Sequence, residues 1–250
     1  MKGQLRISVI IPVFNAARWL REAVESVALR SSPSVLYETE ILAIDDASTD
    51  TSWQVIEELQ REGLIQHSGK FVDNRGPAVA RNEALRQATG EFVAFLDADD
   101  VRVEGSLIRQ AESLGARPEI DAVMGRVHIQ RLQPETSTFF DQGCPVLLLS
   151  LSSGLFRREL FSAQRCGMFD ENYRQGEDVD WLLRARENGI HFCLEDEVTF
   201  RYRRHGANLT TDRAVSQRFF FNALRESLRR RRADGPSAAP LPLWNGTAKG

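Results

Sequence analysis

The sequence predicts an α/β fold with a mainly parallel central sheet and helices on both of its faces, and three observations carry that prediction. Short apolar, β-branched runs recur along the chain, with stretches of helical periodicity between them. Strands alternating with helices build parallel sheets, because the crossover that returns the chain to the same edge is usually a helix. The runs are apolar at successive positions rather than at every second one, as strands buried on both faces are. Finally, residues 92–96 (FVAFL) end abruptly in Asp97-Ala98-Asp99-Asp100, and sheets of this kind bind ligands at the carboxyl edge of their strands.

The elements follow in order. Residues 7–13 form a first strand, after which Trp19, Leu20, Ala23, Val24 and Val27 recur at helical spacing. A second strand over 41–44 leads to a helix over 51–62. A helix over 77–89 opens on Pro77, is closed by Gly90, and precedes the strand over 92–96. Beyond Asp100 come a helix over 104–114 and a strand over 122–126, while the polar segment 131–143 reads as a mobile loop. A helix over 179–188, stopped by Gly189, precedes strand-like runs over 191–194 and 198–203 that can add an antiparallel or mixed edge. From about Ala233 the chain is rich in Pro, Ala, Gly and Ser and is expected to be disordered.

Bulk properties exclude several classes. A chain of 250 residues is long enough for one large α/β domain with a tail. Its net charge of −3, without aromatic residues interleaved among basic ones, argues against nucleic acid as a partner. Cys144, Cys166 and Cys193 show neither disulfide-scaffold nor metal-site spacing and fit a reducing, cytoplasmic setting. No signal-peptide pattern opens the chain, and the longest apolar stretch, 145–156, is interrupted by serines and too short to span a bilayer.

The chemistry gathers at strand ends. Asp97, Asp99 and Asp100 repel one another unless a cation or a set of donors compensates them, which points to a divalent metal, with hard oxygen ligands favouring Mg²⁺ or Mn²⁺. An Asp-rich turn is the alternative. Pro12 and Phe14 end the first strand and Asp45 and Asp46 the second. An aromatic ring and a carboxylate beside a metal edge suit a nucleobase, the ring packing on its face and the carboxylate accepting its N–H groups. The same second segment can equally be a loop with Ser48 or Asp50 as a helix cap. No Gly-x-Gly-x-x-Gly turn or phosphate loop is present, so a nucleotide would be held by metal and carboxylates. Glu177, Asp178 and Asp180 open a helix, either as dipole partners worth about 0.3–1 kcal/mol each or with one of them as a general base.

Together these motifs resemble the family 2 glycosyltransferases. The resemblance lies in residues 8–15 (SVIIPVFN), 45–50 (DDASTD), Asn74-Arg75-Gly76 with Ala80-Arg81-Asn82, 90–100 (GEFVAFLDADD), Phe169-Asp170-Glu171 with Glu177-Asp178, and 202–210 (YRRHGANLT), in that order. It implies a GT-A fold: a single Rossmann-like nucleotide-sugar domain over 1–211, with a nucleotide-sugar-binding half (1–100) and an acceptor and catalytic half (101–211). It also implies a nucleotide-diphosphate sugar donor, most often a UDP-sugar, a divalent cation (Mn²⁺ or Mg²⁺), and inverting transfer to a sugar or lipid-linked glycan acceptor in polysaccharide or glycoconjugate biosynthesis. By position, Pro12, Phe14 and Asp46, with Asn15 and Asp45 nearby, resemble the base-binding residues, and Asp97 with Ala98 the donor-sugar or ribose contacts. Asp99 resembles the metal ligand, and Asp178 the catalytic base. Arg81 resembles a diphosphate contact, or else makes an ordinary helix-surface ion pair. His205, with Arg203 or Arg204, resembles a closing segment that approaches the metal or pyrophosphate, or else is part of an exposed basic edge.

The Gln-x-x-Arg-Trp motif of the family's processive synthases is absent, since Gln217-Arg218-Phe219-Phe220 has neither its spacing nor its Trp; single transfer is implied. A non-catalytic nucleotide-sugar-binding module is the principal alternative. A sugar-phosphate nucleotidyltransferase would need a glycine-rich loop after the first strand, where this chain has Val13-Phe14-Asn15-Ala16-Ala17. Residues 212–232 read as a basic helix with Phe220, Phe221, Leu224 and Leu228 on one side and Arg229-Arg230-Arg231-Arg232 at its end. Either that apolar side packs on the catalytic body, or the helix lies peripherally on the cytoplasmic membrane face, where each cation adds roughly 1 kcal/mol of attraction to anionic lipid.

Overall fold

In the computed structural model, which describes residues 5–28, 37–133, 136–148, 150–206, 208, 213–233 and 245–246, one sheet organises the molecule. Its order is β10-β9-β6-β8-β4-β1-β2-β3. The strands are β1 (Leu5–Val13), β2 (Tyr37–Asp45), β3 (His67–Lys70), β4 (Phe92–Phe95), β5 (Val101–Arg102), β6 (Ala122–Gln133), β7 (Thr138–Asp141), β8 (Gly154–Arg157), β9 (Phe192–Arg204) and β10 (Asn245–Gly246). Along the main path only β8 is reversed, pairing antiparallel with both β4 and β6. β5 and β7 add short antiparallel pairings to β9 and β6. The sheet is therefore mainly parallel, as the alternation predicts.

Both faces are covered. In β1, Ile7, Val9, Ile11 and Val13 point into one core with α1 (Leu20–Val27), α2 (Ser52–Arg61) and α4 (Ser106–Ala116). Ile10 points into the other with α3 (Pro77–Gln87) and α5 (Glu177–Glu187). Neighbouring residues of a strand face opposite ways, so a double-sided core demands a continuous apolar run. In the second core Phe95, Phe156, Phe161, Phe169 and Trp181 pack ring on ring, with Phe161 and Trp181 stacked at 4.5 Å. Trp181 is fully buried and its indole N–H donates to the Gly167 carbonyl at 2.8 Å. That cluster fixes α5 against β4 and β8.

Several expectations need correction. Among the described residues of segment 131–143, strands stand where a mobile loop is expected. β6 runs on to Gln133 and returns as β7, with Leu132 opposite Phe139. It reads as polar because this hairpin stands beyond the cores with most of its side chains exposed. The two runs over 191–203 are one strand, β9, whose pairing with β6 shifts register between Met124 and Val127; the intervening Glu195-Asp196-Glu197 occupies that irregularity, which breaks the apolar pattern. The first residue of α5 is Glu177, two residues before the expected start. β3 (HSGK) and β8 lacked a signal, the one polar at an edge, the other lying within a Ser- and Leu-rich stretch. Most of the tail after Ala233 lies outside the described residues. α6 (Arg213–Ala233) completes the fold against α5. Among the described residues no helix is long and apolar enough to cross a membrane, and the three cysteines are unpaired thiols.

Candidate active site

Three neighbouring parallel strands, β2, β1 and β4, deliver their carboxyl ends to one edge. Phe14 leaves β1 with 44% of its surface exposed, while the preceding Pro12 is half-buried. Asn15 adopts a left-handed backbone (φ 50°) and braces the two loops: its Oδ1 accepts from the Thr49 and Asp50 N–H groups at 2.8 and 3.3 Å, and its own N–H donates to Ser48 Oγ at 2.9 Å. Asp45 is completely buried, with Oδ1 accepting from the Ser48 N–H at 3.1 Å and from its hydroxyl. Its Oδ2 has no hydrogen-bond donor and faces Lys70 Nζ at 3.8 Å. Asp46 accepts the backbone N–H groups of Arg75 (2.6 Å) and Gly76 (2.8 Å), one on each oxygen, tying segment 74–76 to the end of β2. Sequence reasoning anticipated the edge but not that Asn15, Asp45 and Asp46 also knit its loops together.

The carboxylates after β4 divide into two groups. Asp97 Oδ1 accepts from Arg81 Nη2 at 2.6 Å, and Arg81 Nη1 reaches Glu177 Oε1, so one guanidinium links the end of β4 to the start of α5. Arg81 does not lie on the helix surface. Its side chain is 7% exposed and its Nε is buried with no acceptor. Asp178 follows Glu177 at the positive end of α5 and accepts the Val179 N–H at 2.8 Å. Burial raises the pKa of both Glu177 and Asp178, and the Arg81 charge pulls each part of the way back.

Asp99 belongs to the second group. Its Oδ2 lies 3.0 Å from His205 Nε2 and accepts from Asn208 Nδ2, also at 3.0 Å. Asn208 further bonds the Arg203 carbonyl and accepts the His205 N–H at 2.6 Å, closing a compact turn after β9. The His205 ring stacks on Trp19 with centroids 5.6 Å apart, and Phe139 of β7 meets Trp19 edge-on at 5.2 Å. Asp100 is buried and accepts the Arg203 N–H at 2.7 Å; burial and its two neighbouring aspartates push its pKa well up. Ala98 is buried between the groups. Among the described residues no cluster of three or more His, Cys, Asp or Glu side chains could hold a metal by itself. The Asp99–His205 pair is the fitting partial set, one hard oxygen and one imidazole converging at the strand edge, with the rest of a coordination shell left to other ligands. Trp19, Phe139 and Asn208 were not anticipated as parts of this site. Trp19 read as an ordinary apolar helix position, and Asn208 carries no spacing signal by itself.

The fold matches glycosyltransferases of known structure. The sequence profile of the family described as Glycosyl transferase family 2 matches residues 8–140, over half of the chain, and the chain belongs to that family. An uncharacterised glycosyltransferase of Rickettsia felis is 31% identical over 201 residues, covering 74% of this chain and 31% of its own length. The poly(ribitol-phosphate) beta-N-acetylglucosaminyltransferase TarS of Staphylococcus aureus is 26% identical over 229 residues, covering 88% and 39%. The crystal structure of TarS 1–349 in complex with UDP-GlcNAc superposes with a TM-score of 0.70 at 22% identity, over 89% of this chain and 65% of that one. The mannosyltransferase PcManGT of Pyrobaculum calidifontis, in complex with GDP-Man and Mn²⁺, gives a TM-score of 0.70 at 21% identity, over 90% and 65%. These likenesses show the fold. The chain spans about a third of the length of these sequence relatives.

Proposed function

We propose that this chain is an inverting glycosyltransferase that moves a sugar from a nucleotide diphosphate, best a UDP-sugar, to an acceptor hydroxyl in polysaccharide or glycoconjugate synthesis. The observation that carries the reading is the bridge Asp97–Arg81–Glu177, which ties the donor edge to the helix end bearing Asp178. In this reading Phe14, with Pro12, packs on the base, and a carboxylate of the β2 end, Asp46 or Asp45, meets its N–H edge. Asp97 and Ala98 line the path of the ribose and sugar. Arg81, held between two carboxylates, acts through them rather than on the diphosphate. The relatives' names and bound ligands support the class: TarS is named an N-acetylglucosaminyltransferase of poly(ribitol-phosphate) and binds UDP-GlcNAc.

Asp99 and His205 would hold a divalent cation, Mn²⁺ or Mg²⁺, with Asn208 fixing the Asp99 carboxylate; when bound, the cation offsets charge developing on the leaving diphosphate. The chain's own residues supply the rest. The acceptor oxygen attacks the anomeric carbon as the bond to the diphosphate oxygen breaks, the leaving group takes that electron pair, and Asp178 takes the hydroxyl proton. A single displacement inverts the centre and needs no protein nucleophile. Burial raises the pKa of Asp178 and the Arg81 charge lowers it in part, so the carboxylate is a stronger base than a free aspartate, which suits a general base.

Thermal-shift screening of UDP, GDP and dTDP, each with and without Mn²⁺, tests the donor half. A Mn²⁺-dependent rise in melting temperature with UDP is expected, since a ligand that binds the folded state stabilises it by mass action. Absence of a rise with every diphosphate would remove the reading. Stable binding with neither donor hydrolysis nor transfer would favour a binding module.

A further inference from the structure

The expected apolar side of α6 is not the side that packs. Against α5 the helix buries small and polar groups: Ala223 and Ser227 are buried, Ser227 donates to Glu187, and Arg230 bridges Glu187 (2.7 Å) and Asp180 (3.0 Å). Phe221 and Leu228 instead stand 64% and 51% exposed, with Phe220 at 44%. With 3.6 residues per turn, Phe221, Arg225, Leu228 and Arg232 share a sector of about 60° that points away from Ala223 and Ser227. Arg218 and Arg229 border that sector on one side, and both are exposed. The helix carries seven arginines and one carboxylate, Glu226, in a chain whose net charge is −3.

We propose that this face of α6 docks on an anionic lipid surface. The pattern argues for lipid over protein. A protein interface gathers its apolar residues at a charge-depleted centre with polar residues at the rim, whereas here guanidiniums alternate with apolar side chains along one line, Phe221, Arg225, Leu228 and Arg232. Such a face suits the boundary between headgroups and acyl chains, where Phe221 and Leu228 enter the apolar layer and the arginines reach phosphates. The docked helix also bears on the site. Phe219 packs on Gly176, where an added Cβ would lie 3.4 Å from the Phe219 Cβ, and Gly176 caps the helix that begins Glu177-Asp178. Docking therefore holds the N-terminal end of α5 near the lipid surface. If the transfer reading holds, the acceptor is a hydroxyl of a lipid-linked saccharide in that surface; the docking itself does not depend on transfer.

Cosedimentation of the whole chain with vesicles of equal parts phosphatidylglycerol and phosphatidylcholine, and with phosphatidylcholine alone, tests this. Pelleting is expected with the anionic vesicles at low salt, with release at high salt as screening shortens the reach of the arginines, and little pelleting with the neutral ones. Arg225→Gln with Arg232→Gln should lower the low-salt partition coefficient by on the order of 10-fold or more. Phe221→Ser with Leu228→Ser should weaken binding in both salts. All four positions are exposed, so an unchanged melting temperature is expected in each variant. A chain that stays in the supernatant with anionic vesicles at low salt overturns the proposal, as does pelleting that both double variants leave intact. Self-association in light scattering, lost in the variants without any vesicle binding, would assign the face to a second copy instead. Vesicle binding in a chain without sugar transfer would uphold the docking and remove the transfer reading alone.

Discussion

Asp97 and Asp99 stand two residues apart after the same strand, yet their charges are met in opposite ways. Asp97 is 42% exposed and still ion-paired, its partner Arg81 being buried and shared with Glu177. Asp99 is 25% exposed and faces an imidazole and an amide, with no arginine or lysine within ion-pair distance among the described residues. The protein neutralises the first carboxylate from its own chain, whereas in the proposed reading a cation would neutralise the second. One side of the edge is thus wired to the start of α5 through Arg81, and on the proposed reading the other would take the metal. Cation repulsion enforces the division: an arginine beside Asp99 would disfavour a divalent ion there.

Removing the proton acceptor cuts that comparison at its reactive end and has the largest expected effect. Asp178→Asn keeps the shape and the acceptor oxygen bonded by Val179 N–H but cannot take a proton. Turnover should fall by about two to four orders of magnitude, the usual contribution of general acid–base catalysis, with donor affinity nearly unchanged by calorimetry. A wild-type rate would reduce Asp178 to a helix cap and turn attention to Glu177.

Exchanging the two carboxylates sharpens the contrast next. Asp99→Ala should cost more in Mn²⁺-dependent UDP affinity than the roughly 10- to 100-fold typical of losing an outer-shell partner of a metal ligand, while Asp97→Asn should leave the metal dependence intact. Equal losses in both variants would mean that the edge carries one undivided acidic site.

The pH dependence follows from the wired side. A base acts only when ionised, so activity is present above the pKa of Asp178 and lost as pH falls through it. Burial raises that pKa and Arg81 lowers it in part, so the acid limb of kcat/KM should lie above the ordinary carboxylate range, and Arg81→Met should move it higher still. Stability has its own sign. Glu177 has a folded-state pKa raised above its unfolded value, so the native state binds this proton more tightly. Its contribution is fully present at low pH and falls as pH rises from the ordinary carboxylate range to the raised value. Glu177→Gln should flatten that fall in a melting-temperature profile against pH.

How much of this was legible differs between the two halves for a physical reason. In the first half, strands buried on both faces must be apolar at every position, so β1, β2 and β4 announce themselves, and the residues after them fall at the edge by construction. In the second half the ends of β6 and β9 lie outside the cores, and their polar or interrupted sequences resemble loops; hence the β6–β7 hairpin has the sequence of a mobile loop. The site divides the same way. Asp97, Asp99 and Asp178 follow from local pattern and resemblance, but the Arg81–Glu177 bridge spans 96 residues and the His205–Asp99 contact 106, and no local spacing encodes which distant partner a side chain meets. α6 is a different case, since its sequence left two readings of the apolar side open. Of the two, packing on the body does not hold for Phe221 and Leu228, since the buried face is set by Ala223, Ser227 and the ion pairs of Arg230.

The smallest expected effect lies on the metal side of the comparison and concerns Trp19. Stacking on the imidazole restricts the ring plane of His205, and Phe139 packed edge-on against Trp19 restricts the indole in turn. An aromatic pair of this kind contributes about 0.5–1.5 kcal/mol beyond its buried area. If His205 is a cation ligand, loosening its ring should cost Mn²⁺ affinity by about that energy, a few-fold to tenfold. Trp19→Ala should therefore weaken Mn²⁺ binding in calorimetry of the chain saturated with UDP, and Trp19→Phe should restore most of it by keeping a stacking face. Among the described residues Trp19 makes no hydrogen bond or ring contact with Asp97 or its partner Arg81 that would tie it to the other carboxylate, so UDP affinity without Mn²⁺ should be the same in both Trp19 variants. If Trp19→Ala lowers metal-free UDP affinity as much as Mn²⁺ affinity, Trp19 supports the whole edge, and the separation between the wired and the metal-binding carboxylate fails at this point.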